Sequence, residues 1–166
     1  IDLSLMRLKH YTGTNSKHFQ NYVIFTNYQF YIDEFIKIGE ARSGQQGYTD
    51  FIQPALGGRM PQMPAYHLKR ADGSGITMVN IGVGPSNAKT ITDHIAVLRP
   101  HAWLMLGHCA GLRNSQELGD YVLAHGYLRE DNVLYKDLHP AIPLPALSEI
   151  QLSLEQAVKE ISGNEG

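Results

Sequence analysis

The chain has 166 residues and a formal net charge of −2, with 14 Lys and Arg scattered among 16 Asp and Glu. Hydrophobic residues at 43% and charged residues at 18% fit one soluble domain with a real core, and the scattered bases exclude a nucleic-acid surface held by bulk charge. No apolar run approaches the roughly 18–20 residues that cross a bilayer, and no basic segment leads into an apolar one as in a signal peptide. The single cysteine, Cys109, excludes an internal disulfide framework and suits a reducing compartment, so a cytoplasmic location is expected.

Ile1 is not an initiator, and Met6 is the first methionine. Both ends are expected to be cut, as in a fragment or a partly ordered chain. The run from Arg7 to Thr14 gathers Arg7, Lys9 and His10, with Thr12 and Thr14, around Gly13. That composition could bind a phosphate or could be a solvated terminus. Tyr22 to Thr26 reads as a short buried strand. Asn27 stands where an N-cap should, and Tyr28 to Ile38 reads as a helix that Gly39 ends. Residues 40–61 are rich in glycine and lack periodicity, which predicts a surface loop or insertion.

Tyr66–Lys69 and Ile76–Ile81 flank a glycine-rich turn, the pattern of a hairpin. The second strand runs into Gly82-Val83-Gly84-Pro85-Ser86. The helix that follows has Ala88, Ile91, Ile95 and Leu98 on one face and stops at Pro100. Ser86 is expected to cap its start. His94, Arg99 and His101 are expected on a solvated face and at the helix end. Ala102 to Leu106 has the length of a buried strand, and His108 to Gly111 forms the loop after it. Tyr121 to Leu128 is another strand candidate. Pro140, Pro143 and Pro145 mark an extended linker. Ser148 and Gln151 form a capping box for a last helix, whose apolar face is Leu147, Ile150, Leu154, Val158 and Ile161. A polar tail, Ser162 to Gly166, ends the chain.

Strands alternate with helices, so the class is α/β. Three strand ends lead into polar or glycine-rich loops: Thr26-Asn27, Gly82 to Asn87, and Gly107 to Gly111. Ligands of open α/β sheets sit outside the carboxyl ends of strands, so these loops are the expected site. Gly82 and Gly84 allow close backbone approach, and the helix N-terminus offers N–H groups to an anion. A tight turn needing glycine for geometry alone reads the same way. The spacing is neither a Walker A loop nor the six-residue dinucleotide fingerprint. His108 can point into the site. Cys109 is read as a small buried hydrophobe more readily than as a nucleophile, because on extended backbone its neighbour His108 points away from it. No HxH, HExxH or paired Cys/His spacing appears, so neither a metal nor a cofactor is expected.

Five segments resemble the nucleoside phosphorylase superfamily and, within it, the AMP nucleosidase family. They are RLKHYTGT (Arg7–Thr14), FTNYQFYIDEF (Phe25–Phe35), QMPAYHL (Gln62–Leu68), GITMVNIGVGPSNAKTITDHIAVLRP (Gly75–Pro100) and WLMLGHCAGLRNSQELGDYVLAH (Trp103–His125). Residues 40–61 look unlike it. The resemblance makes residues 1–166 the N-terminal portion of a catalytic domain with a three-layer α/β/α fold around a mixed, partly barrelled sheet. It implies a homohexamer that hydrolyses AMP, or a related purine nucleotide, to adenine and ribose 5-phosphate, and it leaves room for a phosphate or nucleotide effector.

The resemblance also implies the substrate-binding set Thr26, Asn27, Gly82, Gly84, Ser86, Asn87, Gly107 and His108, with Arg7, Lys9 and His10 as candidates for the 5′-phosphate. His10 matches a family histidine that reaches the ribose 5′ end in a neighbouring subunit. Phosphorylases of this fold clamp inorganic phosphate with a glycine in the first loop, a first-helix arginine, and an arginine and serine in the third loop. Thr26 and Asn27 occupy that first loop here, and Phe30, Met105 and His108 stand at the other positions, which favours water as the nucleophile. The base-protonating aspartate and ribose-binding glutamate of the family fall after Gly166, so residues 1–166 alone are expected not to catalyse. A purine nucleoside phosphorylase of the same fold and a non-catalytic nucleotide-binding or assembly fragment are the alternatives.

Overall fold

The computed structural model describes residues 1–55, 58–129 and 139–163, which form two compact units, Ile1–Gly107 and His108–Gly166. The first unit is built on one mixed sheet. In chain order its strands are β1 (Tyr22–Thr26), β2 (Asp50–Ile52), β3 (Ala65–Lys69), β4 (Ile76–Asn80) and β5 (Ala102–Leu106). In space the order is β2-β3-β4-β1-β5. β4, β1 and β5 run parallel, β3 pairs antiparallel with β4, and β2 pairs antiparallel with β3, so only β3 runs against the others. The helices are α1 (Asp2–Thr12), α2 (Gln29–Arg42) and α3 (Pro85–Ile95). This is a mixed α/β sheet with helices on both faces. Among the described residues it stays open and does not close into a barrel.

Side-chain alternation sorts the core into two layers. One face carries Val23, Phe25, Ala65, Val79 and Ile81 against Leu8 of α1 and Ile91 and Ile95 of α3. The other carries Tyr66, Leu68 and Met78 against Ile32 and Phe35 of α2. Buried on both faces, the central strands read as near-continuous apolar runs, which is why YVIFT and ITMV were legible as strands. Full burial of a Leu or Ile stabilises by roughly 1.5–3 kcal/mol, so these layers dominate the unit's stability.

Several local expectations are corrected. α1 was not anticipated; the segment read as a basic run is a helix with Leu8 and Thr12 buried. α2 begins after Tyr28, not after a capping Asn27, and it passes through Gly39 to Arg42. Gly39 does not stop the helix. A Cβ there would collide with the Phe51 ring, so glycine lets β2 pack onto α2. Residues 40–61 are therefore not wholly loop, since they hold the last turn of α2 and the strand β2, paired with β3. Residues 56 and 57 lie outside the described set. The hairpin, α3 and β5 form where expected. Gly84, with Pro85 at the first helical position, begins α3, and Ser86 does not cap it. His94 is not simply solvated, for its ring stacks with Tyr11 at 5.9 Å.

A buried polar chain ties α1 to the sheet. His67 is fully buried, its Nε2 lying 2.8 Å from Thr14 Oγ1 and its Nδ1 2.9 Å from Thr77 Oγ1. Thr12 Oγ1–H donates to the Leu8 carbonyl, and Gln20 N–H donates to Thr77 Oγ1. One arrangement of protons satisfies every member. Thr77 donates to Nδ1, Nε2–H donates to Thr14, and Thr14 donates to Thr12 across 3.2 Å. His67 is thus a neutral, satisfied core histidine.

The second unit is described by itself. β6 (Gly126–Tyr127) pairs antiparallel with β7 (Leu144–Pro145), and α4 spans Ser148–Ser162. The expected strand Tyr121 to Leu128 thus shrinks to two residues, and the proline segment holds its partner strand. Ser148 lies inside α4 after Leu147, with no side-chain cap, so the capping box does not form. Ile150, Leu154 and Val158 are half-buried along one face, whereas Leu147 and Ile161 are exposed. None of the unit's described residues is fully buried. Cys109 is exposed, contrary to its reading as a buried hydrophobe, because the loop it occupies leaves it open to solvent. The end of the polar tail, residues 164–166, lies outside the described set.

Candidate ligand site at the strand ends

The carboxyl ends of β4, β1 and β5 lie side by side, with Thr26 in register with Asn80 on one side and Leu106 on the other. β1 leads into α2 on one face of the sheet, and β4 leads into α3 on the opposite face. The chain therefore departs in opposite directions from two adjacent parallel strands. That opens a crevice at their carboxyl ends, the topological switch point where α/β sheets take ligands.

Thr26 is fully buried, and its Oγ1 accepts the N–H of Tyr28 at 3.2 Å, so it shapes the first loop and turns no free hydroxyl outward. Asn27 beside it is half-buried. In the second loop Gly82 has φ +64° and Gly84 φ +103°, conformations that a side chain resists. The Asn87 side-chain amide donates back to the Val83 carbonyl at 3.3 Å. Pro85 has no N–H, and the next two N–H groups of α3, on Ser86 and Asn87, precede any intrahelical acceptor. The loop thus presents backbone donors and a positive helix end to the crevice. Gly107, at the end of β5, lies beside Tyr28; a Cβ there would meet the Tyr28 ring at 3.8 Å. Thr26-Asn27, the Gly82 to Asn87 loop and Gly107 thus lie at one end of the sheet, and the rest of the expected third loop, His108 to Gly111, belongs to the second unit.

The structure adds two residues that the sequence reading missed. Asn80, the last residue of β4, donates through Nδ2 to Gln29 Oε1 at 3.2 Å and accepts Gly82 N–H on Oδ1 at 3.0 Å. Gln29 is the first residue of α2. No motif marks either one, and only the register of β4 against β1 places them at the crevice.

His108 is exposed and opens the second unit. Arg7, Lys9 and His10 are exposed on α1, away from the buried Leu8 and Thr12. The His10 ring lies edge-on to Tyr11, 5.5 Å away, and Tyr11 stacks on His94 near the far end of α3. Nine residues of helix separate His94 from Pro85, about 14 Å at about 1.5 Å per residue. The first unit therefore does not bring His10 to its own strand-end loops. Thr12 and Thr14 spend their hydroxyls on the buried chain and face no ligand. Phe30 and Met105 are both largely exposed.

Two cavities, of about 190 and 310 Å³, open instead at the amino ends of the strands. The smaller is lined by Lys17, Gln20 and Asn21 among others, and the larger mostly by apolar groups such as Ile24, Ile76 and Leu104. The strand-end loops carry the stronger case, because they join converging backbone donors to a helix end at a switch point. Among the described residues no group of His, Cys, Asp and Glu could hold a metal, and no helix is long and apolar enough to cross a membrane.

Comparison with known proteins assigns the class first. The chain superposes on a crystal structure of AMP nucleosidase from Bacteroides thetaiotaomicron with a TM-score of 0.77 at 23% identity, covering 97% of this chain and 63% of that one. It superposes on purine nucleoside phosphorylase from Toxoplasma gondii, solved with immucillin-H, with a TM-score of 0.69 at 16% identity, covering 90% and 55%. The fold is that of the nucleoside phosphorylases. In sequence the chain is 50% identical to AMP nucleosidase from Escherichia coli over 190 aligned residues, covering all of this chain and 38% of the relative. A 29% match to guanosine phosphorylase from Halorubrum lacusprofundi covers 54% of this chain and 39% of that protein. No protein-family profile matches. The chain belongs to the AMP nucleosidase family and spans 38% of the length of its E. coli relatives.

Proposed function

We propose that the protein carrying this chain hydrolyses the N-glycosidic bond of AMP, giving adenine and ribose 5-phosphate with water as the nucleophile. The 50% identity to AMP nucleosidase over the whole chain carries this reading. The strand-end loops support it by supplying backbone and amide donors suited to a ribose phosphate. N-glycoside cleavage builds positive charge on the sugar and negative charge on the departing base, so it needs an oriented water and a proton donor for the base. The strand-end groups of the first unit assigned to the ligand, Asn27, Gly82, Gly84, Ser86 and Asn87, bind and orient but do not protonate. In this reading they form the nucleotide-holding side of the site, and the proton donor comes from chain beyond residue 166. Phe30 and Met105, in place of cationic clamps, disfavour a bound inorganic phosphate.

Incubation of the full-length protein with AMP in phosphate-free buffer tests the reading, with adenine release as the expected outcome. Release from adenosine only after phosphate is added would instead establish the phosphorylase alternative. That alternative draws on the guanosine phosphorylase match, which covers half as much of the chain at lower identity.

Arg7, Lys9 and His10 are assigned to the 5′-phosphate of a neighbouring subunit's substrate, within a cytoplasmic homohexamer. Their exposure on α1 leaves them available to a neighbour. His10→Ala is expected to raise KM for AMP about tenfold, the loss of one charge-assisted hydrogen bond, with little change for adenosine. Equal effects on both substrates would remove His10 from the phosphate site.

A further inference from the structure

At the carboxyl ends of β1 and β4 a chain of side-chain hydrogen bonds links the loop after β4 to α2, and its direction is fixed at both ends. Gly82 N–H can only donate, so Asn80 turns its Oδ1 towards the loop. Asn80 Nδ2 then faces α2 and donates to Gln29 Oε1. The Gln29 amide is left with its Nε2 pointing along α2, where it donates to Asp33 Oδ1 at 2.8 Å. A carboxylate only accepts, which demands the same orientation from the other end. The negative charge of Asp33 is felt locally, since after burial it is the second cause that raises the neighbouring Tyr66 hydroxyl above its ordinary pKa.

We propose that Asn80, oriented by Gln29 and Asp33, is a positioning residue that sets the Gly82–Asn87 loop for the bound nucleotide. This rests on the functional reading above. The argument is one of location and polarity. Asn80 ends the strand from which the ligand loop springs, and its Oδ1 holds the first N–H of the glycine pair. Through Gln29 it fastens that loop to the helix that leaves β1. The two walls of the crevice, which the topology sends to opposite faces of the sheet, are thereby held at one spacing. No other hydrogen bond between side chains joins α2 to β4 among the bonds described.

The polarity of the chain supplies the experiment, made in the full-length protein. Gln29 is exposed, so Gln29→Ala cuts the link without opening the core. It should raise KM for AMP about three- to tenfold, leave kcat within about twofold, and leave Tm unchanged. Gln29→Glu keeps an acceptor for Asn80 but sets a second carboxylate against Asp33, and should impair binding similarly. Gln29→Glu combined with Asp33→Asn restores the link with its direction reversed, the amide at position 33 now donating to the carboxylate at 29, and should return KM to within about twofold of wild type. A merely structural role predicts no such rescue. An unchanged KM in Gln29→Ala, or a double variant no better than Gln29→Glu, overturns the proposal. If wild-type protein releases no adenine from AMP, the functional reading fails by itself. Amide hydrogen exchange at Gly82 then decides the positioning role: faster exchange in Gln29→Ala upholds it, and an unchanged rate overturns it.

Discussion

Replacing His67 by alanine is expected to destabilise the protein by roughly 3–5 kcal/mol, through a lost buried ring and two hydroxyls left without their partner. Thr14 and Thr77 are both buried, so neither can turn to water for a substitute. The same site gives a pH dependence of known sign. Burial above all, then the positive charges of His18 and Lys69, lowers the pKa of His67 from 6.5 to about 3. The folded protein therefore takes up its proton at lower pH than the unfolded one. The stability His67 contributes is fully present above pH 6.5 and is lost as pH falls towards 3. At about 1.4 kcal/mol per pKa unit, this amounts to roughly 2 kcal/mol between pH 7 and pH 5. Denaturant unfolding at the two pH values checks it. His67→Gln should start less stable and show a pH slope smaller by that amount, and an unchanged slope would falsify the assignment.

Gly84→Ala is expected to lower kcat/KM for AMP about a hundredfold while leaving the unfolding transition in place. Gly84 sits at φ 103° and ψ 150°, a region that glycine alone occupies comfortably. A Cβ there would meet nothing within 4 Å, so the side chain itself fits. What fails is the backbone: the loop must move to a permitted conformation, which re-aims the donors of Ser86 and Asn87 at the head of α3. Displacement of positioning groups by about 1 Å can cost about a hundredfold in rate. Wild-type kcat/KM in this variant, measured by adenine release, would remove the loop from the site. A drop in Tm matching the activity loss would make the effect one of folding.

The contrast between these positions shows what could be read in advance. Gly82 and Gly84 stood out because two glycines between a strand and a helix have few uses, and both have positive φ. Gly39 invited the wrong reading. It stood where a helix could end, yet its role is to admit Phe51, which lies twelve residues later and packs against it only in three dimensions. Ser86 and Ser148 had capping residue types at plausible positions, but each fell one or two residues inside its helix, whose starts are set by Gly84 and Leu147. α1 was hidden because its apolar residues, Leu3, Leu5, Met6, Leu8 and Tyr11, form no narrow stripe. The helix is held by Leu8 and Thr12 against the sheet, not by a periodicity of its own.

By itself the sequence determined the α/β class, the core strands and the family, because these depend on local apolar runs and on long segments matched residue by residue. It also marked the strand-end loops that the proposed function uses, since glycines between a strand and a helix are a local signal. The tertiary structure alone decided that His67 is a buried neutral hub and that Thr12 and Thr14 face inward. It alone decided that His10 lies far along α3 from its own strand ends, and that Asn80, Gln29 and Asp33 form one directed chain. Each of these depends on strand register and helix placement. Those follow from how the two apolar layers pack, and they bring together residues whose separation in sequence carries no signal.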